Sequence, residues 1–118
     1  MPLIFHITHK SAWETASESG GYRPASLERD GFIHCADMHQ VLKVANDIFR
    51  GERELVLLCV EPANLSAGVI YEDLYGLGEN SPHVYGNLEV DAIVAVLDLA
   101  TTRDGVFQLP PALLSRST

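Results

Sequence analysis

The chain alternates short apolar runs with polar stretches, and the period of each run predicts its element. "LIFHIT" (residues 3–8) is short and rich in strand formers, predicting a first strand. In "SAWE", Ser11 and Glu14 stand at capping-box spacing, which predicts a helix that Gly20 and Gly21 end. A polar loop with Tyr22, Pro24 and Ser26 leads to "GFIHCA" (31–36), a second strand. Asp37 and Gln40 repeat the capping spacing. Met38, Val41, Leu42, Ala45, Ile48 and Phe49 then share one helical face, so a helix over 38–50 should turn that face to the core. "ELVLLCVEP" (54–62) is almost continuously apolar, as in a central strand covered on both faces. "VIYEDL" (69–74) alternates and predicts a strand nearer an edge, and "DAIVAVLDL" (91–99) predicts another strand. "YGLGENSPHVYGN" (75–87) is rich in turn formers and predicts a loop or a pair of tight turns, while the tail "GVFQLPPALLSRST" could add one short edge strand. About six strands and two main helices, without strict βαβ alternation, predict a single α+β domain over 1–118 with a split or mixed sheet.

Charge and composition narrow the function classes. At 118 residues the chain can bury one core. Its net charge is −8, and its six arginines and two lysines are scattered, so no basic stripe awaits a phosphate backbone and no nucleic-acid partner is expected. "MPLIFHITHK" lacks a positive segment followed by a long apolar run, and no stretch of roughly 18 apolar residues occurs anywhere. The expectation is a cytoplasmic protein with no membrane partner. Cys35 and Cys59 each sit inside an apolar run, the pattern of two reduced, buried thiols.

The remaining chemistry lies in the histidines. Strand alternation puts Leu3, Phe5 and Ile7 on one face and Ile4, His6 and Thr8 on the other. It groups Phe32, His34 and Ala36 opposite Ile33 and Cys35. His34 precedes a helix start, where free amides favour an anion, and His83 stands beside Tyr85 in a turn-rich segment. The three imidazoles could therefore converge on one cleft, whereas His9 and His39 look exposed. Taken singly, a strand histidine is more often a hydrogen-bonded structural residue than a catalyst. A metal site is not expected, since no histidine pair stands four apart on a helix face and neither cysteine has a close ligand partner. Alternation turns Cys35 away from His34, which disfavours a cysteine nucleophile, and "YGLGEN" lacks the strand-loop-helix order of a nucleotide fingerprint.

"FHIT", "SLERDGFIHCAD", "YEDLYG" and "PHVYGNLEVDAIVAV", which span nearly the whole chain, resemble the signature blocks of a small uncharacterised family of bacterial and plant proteins. That family's fold is in turn similar to the ADP-ribosyltransferases, enzymes that bind NAD in the cleft of a split sheet. The resemblance implies that His6 in "FHIT" hydrogen-bonds the NAD ribose, with Thr8 following it. It aligns His34 in "IHCAD" with the tyrosine that stacks on nicotinamide in those enzymes, and Asp91 with a glutamate that opens a late strand. Both matches depart from the pattern: imidazole has a smaller face than phenol, and aspartate is one methylene shorter than glutamate. The resemblance thus implies NAD as substrate, with His6, His34 and Asp91 catalytic and Thr8, Ser26, His83 and Tyr85 nucleotide-binding. Related RNA 2'-phosphotransferases use basic residues, and the acidic charge here argues against that variant.

Breaking the bond between nicotinamide and ribose builds positive charge on the sugar, which a carboxylate and ribose-directed hydrogen bonds stabilise. Two functions of different class follow. One is an NAD-using transferase or glycohydrolase; the other is a non-catalytic module for a nucleotide or another small polar ligand. Catalysis requires a carboxylate within reach of the ribose site, so Asp91 and Glu72 discriminate between them.

Overall fold

The computed structural model describes residues 2–116 except 75, 77 and 103. The almost unbroken apolar run becomes β4 (Leu55–Val60), every residue of which is buried. It lies between two antiparallel partners, β1 (Ile4–His9) and β8 (Ile93–Asp98). Alternation along β1 and β4 then divides the interior in two. Ile4, Val56, Leu58 and Val60 pack on one face with Tyr22, Leu27, Ile33, Cys35, Val84 and Leu88. Phe5, Ile7, Leu57 and Cys59 pack on the other with Val41, Ala45, Phe107 and Leu113. At roughly 1.5–3 kcal/mol for each large apolar side chain taken from water, these two layers supply the main drive to fold.

A second three-stranded antiparallel sheet carries the chemistry. Its order is β3 (Ile33–His34), β6 (Ser81–Val84), β5 (Val69–Glu72), with β6 in the centre. Reciprocal backbone bonds of 2.8 Å between Phe5 and Ala36 join it to β1. A two-stranded pair, β2 (Gly21–Tyr22) with β7 (Leu88–Glu89), completes the β structure. The helices are α1 (Lys10–Glu18), α2 (Ala25–Asp30), α3 (Val41–Ile48) and α4 (Pro111–Arg116). No helix among the described residues is long and apolar enough to cross a membrane.

The described residues thus form a mixed α+β structure of eight strands and four α-helices in separate antiparallel sheets, where about six strands and two helices were expected in one sheet. Several local expectations change. The capping box at Ser11 and Glu14 is absent: His9 is the cap residue, and the Lys10 amide donates instead to the Glu54 carbonyl at 2.7 Å. The supposed loop around Tyr22 contains β2 and α2. Gly31, at φ +84°, ends α2 in the left-handed region, and regular strand pairing resumes only at Ile33. The Asp37 and Gln40 capping box is present and opens a 3-10 turn, Met38–Gln40, before α3. Ile48, counted with the core face, is 63% exposed. Residues 81–84 are a central strand rather than a loop, even though Pro82 supplies no amide; its carbonyl accepts from Cys35 at 3.0 Å. Among the described residues the tail is bridged to the chain before it at Thr101 and Phe107 and then turns into α4, without the expected edge strand.

Candidate functional site

Register places the polar side chains of the second sheet in one row. His34 and His83 are directly paired across β3 and β6, so their side chains leave the same face. His83 is opposite Ile70 on β5, and Glu72, two residues further, is its diagonal neighbour on that face. The row closes by hydrogen bonds. His34 Nδ1 lies 3.1 Å from His83 Nε2, and His83 Nδ1 lies 2.9 Å from Glu72 Oε1. Phe32 stacks on the His83 ring at 4.3 Å and 21°, and the Tyr85 hydroxyl donates to Glu72 Oε1. His83 is fully buried, despite its place in a segment of turn formers.

The first strand adds His6 from the neighbouring sheet. His6 Nδ1 lies 2.7 Å from the His34 carbonyl, and its Nε2 lies 3.2 Å from the Tyr22 hydroxyl, which is itself 2.8 Å from Thr8 Oγ1. Burial lowers His6 to about 4, so the ring is neutral, and a carbonyl partner requires the proton on Nδ1. Burial, with the neighbouring His83, also lowers His34. Hydrogen bonds from Tyr85 and His83 hold the Glu72 carboxyl below its ordinary value and keep it ionised. Tyr85 is raised in turn by the same carboxylate. Cys35 is pushed up to about 12 by burial, which leaves it a thiol without nucleophilic character.

His6, His34, His83 and Glu72 line one cavity of about 450 Å³, within the range of small-ligand sites. Phe5, Phe32, Val44 and Phe49 give it an apolar wall. Its ionisable lining is mainly acidic: Asp30, Asp47, Asp73 and Glu79 join Glu72, against Arg29 and Lys43. Arg29 bonds Asp30 at 3.0 Å and Lys43 approaches Asp47 at 3.4 Å, so the cations partly answer their neighbours.

Of the residues singled out from sequence, His6, His34, His83 and Ser26 line the cavity. Thr8 lies behind it, bonded to Tyr22, and Tyr85 reaches the site through Glu72. Asp91 is not brought to the cleft. It sits exposed in the 3-10 turn Val90–Ala92, where its carbonyl accepts from Asn64, and the carboxylate bonded to the histidine row is Glu72. The helix start after His34 is not open to an anion either. Asp37 and Gln40 cap it, with Gln40 Oε1 accepting from the Asp37 amide at 2.9 Å and Tyr71 donating to Asp37 at 2.8 Å. His9 and His39 are exposed and pair with Glu52 and Glu79. Phe32, grouped with His34 by alternation, lines the cavity beside it, and Ile48, expected in the core, lines it too; nothing in the sequence marked Arg29 or Asp47. Among the described residues no group of three histidine, cysteine or carboxylate side chains is placed to hold a metal ion.

The chain matches the family described as "Protein of unknown function (DUF952)" over residues 7–96. It is similar to protein CC0527 from Caulobacter crescentus, at 36% identity and a TM-score of 0.81 to the X-ray crystal structure, covering 91% of this chain and 94% of that one. The solution NMR structure of CC0527 agrees, at 36% identity, a TM-score of 0.81 and coverage of 92% and 94%. No curated protein matches the chain at significance.

Proposed function

The chain belongs to the DUF952 family, and we propose that its histidine cleft binds NAD and breaks the bond between nicotinamide and ribose, in the manner of an ADP-ribosyltransferase or NAD glycohydrolase. The observation that carries the reading is the convergence of an ionised carboxylate, Glu72, with His34 and His83 beside an apolar wall in one cavity. In this reading the ring of nicotinamide lies on the Phe32 and Phe49 side and Glu72 faces the sugar. As the C1'–N1 bond breaks, its electron pair neutralises the pyridinium, and positive charge grows on the ribose where the carboxylate stabilises it. His6, with both ring nitrogens engaged by His34 and Tyr22, positions the His34 strand instead of holding ribose itself. The second support is the resemblance of the sequence blocks to an uncharacterised family whose fold is in turn similar to the ADP-ribosyltransferases.

Nicotinamide release from NAD, followed chromatographically, tests the proposal. Glu72→Gln should lower kcat by about 10²-fold or more with KM nearly unchanged, the size of effect seen when one transition-state electrostatic contact is removed. Wild-type protein that neither binds NAD at millimolar concentration nor releases nicotinamide would refute the reading. Binding without release would instead favour a non-catalytic ligand module. The excess of carboxylates over cations in the lining points such a module toward a small polar ligand with a cationic group.

A further inference from the structure

Every molecule with a nicotinamide–ribose bond carries a positive pyridinium ring, and such molecules differ in what the ribose bears. The nucleoside ends in a neutral hydroxyl and is a cation, whereas a phosphate, or the pyrophosphate of NAD, makes the whole molecule an anion. Five carboxylates line the cavity against two basic side chains, Arg29 and Lys43. His6 is neutral and His34 is lowered, so neither redresses the balance at neutral pH, and the field stays negative whichever protonation state His83 holds. The cations that could hold a pyrophosphate already have carboxylate partners: Arg29 bonds Asp30 at 3.0 Å and Lys43 meets Asp47 at 3.4 Å. The helix start behind His34 is closed by the Asp37 and Gln40 box. An aromatic cation is better served. Phe32 and Phe49 line the cavity, aromatic surface attracts a cation as well as an apolar group, and ionised Glu72 supplies the counter-charge. The volume of about 450 Å³, toward the lower end of small-ligand sites, suits a nucleoside better than a dinucleotide.

We propose that the cleft selects a phosphate-free pyridinium ribonucleoside, of the kind nicotinamide riboside represents, over the mononucleotide and over NAD. The inference rests on the ribosyl reading above and narrows its substrate by charge. The same field serves the reaction, because the positive charge of the substrate moves from the ring to the ribose and stays in the cleft through the transition state. With water as acceptor, the C1'–N1 electron pair returns to the ring, the water oxygen bonds to C1', and a water proton is released to solvent. The products, nicotinamide and ribose, are both neutral, so the carboxylates no longer hold them.

Nicotinamide release by the wild-type protein, measured in parallel from nicotinamide riboside, nicotinamide mononucleotide and NAD at low ionic strength, tests the selection. The nucleoside should show a kcat/KM about tenfold or more above either anion, and added salt should shrink the difference. The mononucleotide separates charge from size, since it adds only a phosphate. Equal or better use of the mononucleotide or of NAD would overturn the inference and leave the ribosyl reading standing. Asp47 is exposed on α3, outside the histidine row, so Asp47→Lys tests the field without touching the reacting groups. It should narrow the preference for the nucleoside by about threefold or more, and an unchanged preference in the folded variant would overturn the charge argument. If none of the three compounds releases nicotinamide, the ribosyl reading falls, and calorimetry still decides the selection by charge. Tighter binding of the N1-methylnicotinamide cation than of neutral nicotinamide would uphold it, and equal or weaker binding of the cation would overturn it.

Discussion

Replacing His6 with asparagine keeps a donor near the Nδ1 position, facing the His34 carbonyl, but removes a ring that must stay neutral beside Tyr22 and Thr8. In the fold this imidazole titrates at about 4 in place of 6.5, chiefly because burial penalises its charged form. The difference, 6.5 − 4 = 2.5, corresponds to about 3 kcal/mol at about 1.36 kcal/mol per pH unit. The unfolded chain binds the proton more readily, so acid favours unfolding. The contribution is intact above the unfolded value, declines as pH falls from there, and is gone below about 4. Between about pH 7.5 and about pH 5 the His6 share of the loss is roughly 2 kcal/mol. His34, also lowered by burial, and the carboxylates of the cleft titrate in both proteins and cancel in the difference. Urea unfolding followed by circular dichroism at the two pH values measures it. Wild type should lose about 2 kcal/mol more than His6→Asn on acidification, whatever constant offset the substitution brings at neutral pH. Equal losses, within about 0.5 kcal/mol, would refute the account of His6 as a buried neutral ring.

Two further tests probe the frame around the cleft. Gln40 accepts from the Asp37 amide and donates to the Asn80 carbonyl, each at 2.9 Å, so Gln40→Ala strands two backbone groups and should destabilise by about 2 kcal/mol, read as a lower urea midpoint at unchanged m. Cys35 and Cys59, both buried thiols, should stay unreactive toward a disulfide reagent in the native protein and react only on unfolding; fast native labelling would contradict their burial.

Sequence pattern sufficed where one strand's own period decides its environment. The six apolar residues of β4 could only be central, and alternation in β1 separated Phe5 and Ile7 from Ile4, His6 and Thr8 as the two packed layers do. The Asp37 and Gln40 box was legible because both partners lie within one turn. Failures came where distant contacts override local preference. Pro82 argues against a central strand, yet β6 is flanked by β3 and β5, with the Pro82 carbonyl accepting from the Cys35 amide and the other β6 residues carrying the pairing. Ser11 and Glu14 match a capping box, but the residue just before β4 approaches closely enough for the Glu54 carbonyl to take the Lys10 amide, and the helix starts two residues earlier.

The carboxylate of the site shows the same division. Asp91 drew attention because it opens an apolar strand, a property read along the chain, but it stands exposed in a turn away from the cavity. Glu72 becomes a site residue through register across β5 and β6: Ile70 opposes His83, so the side chain two places on reaches the same imidazole. One residue of slip would turn Glu72 to the opposite face and break both the bond to His83 and the row that ends at His34. That register is set by backbone pairing of β6 with β5 and β3, and the side-chain bonds it creates join residues 11 apart, Glu72 with His83, and 49 apart, His34 with His83, separations that no local period encodes. Convergence of the three histidines could be anticipated from their positions at strand ends, but the order of His34, His83 and Glu72 in a hydrogen-bonded row arises only when β6 is inserted between β3 and β5.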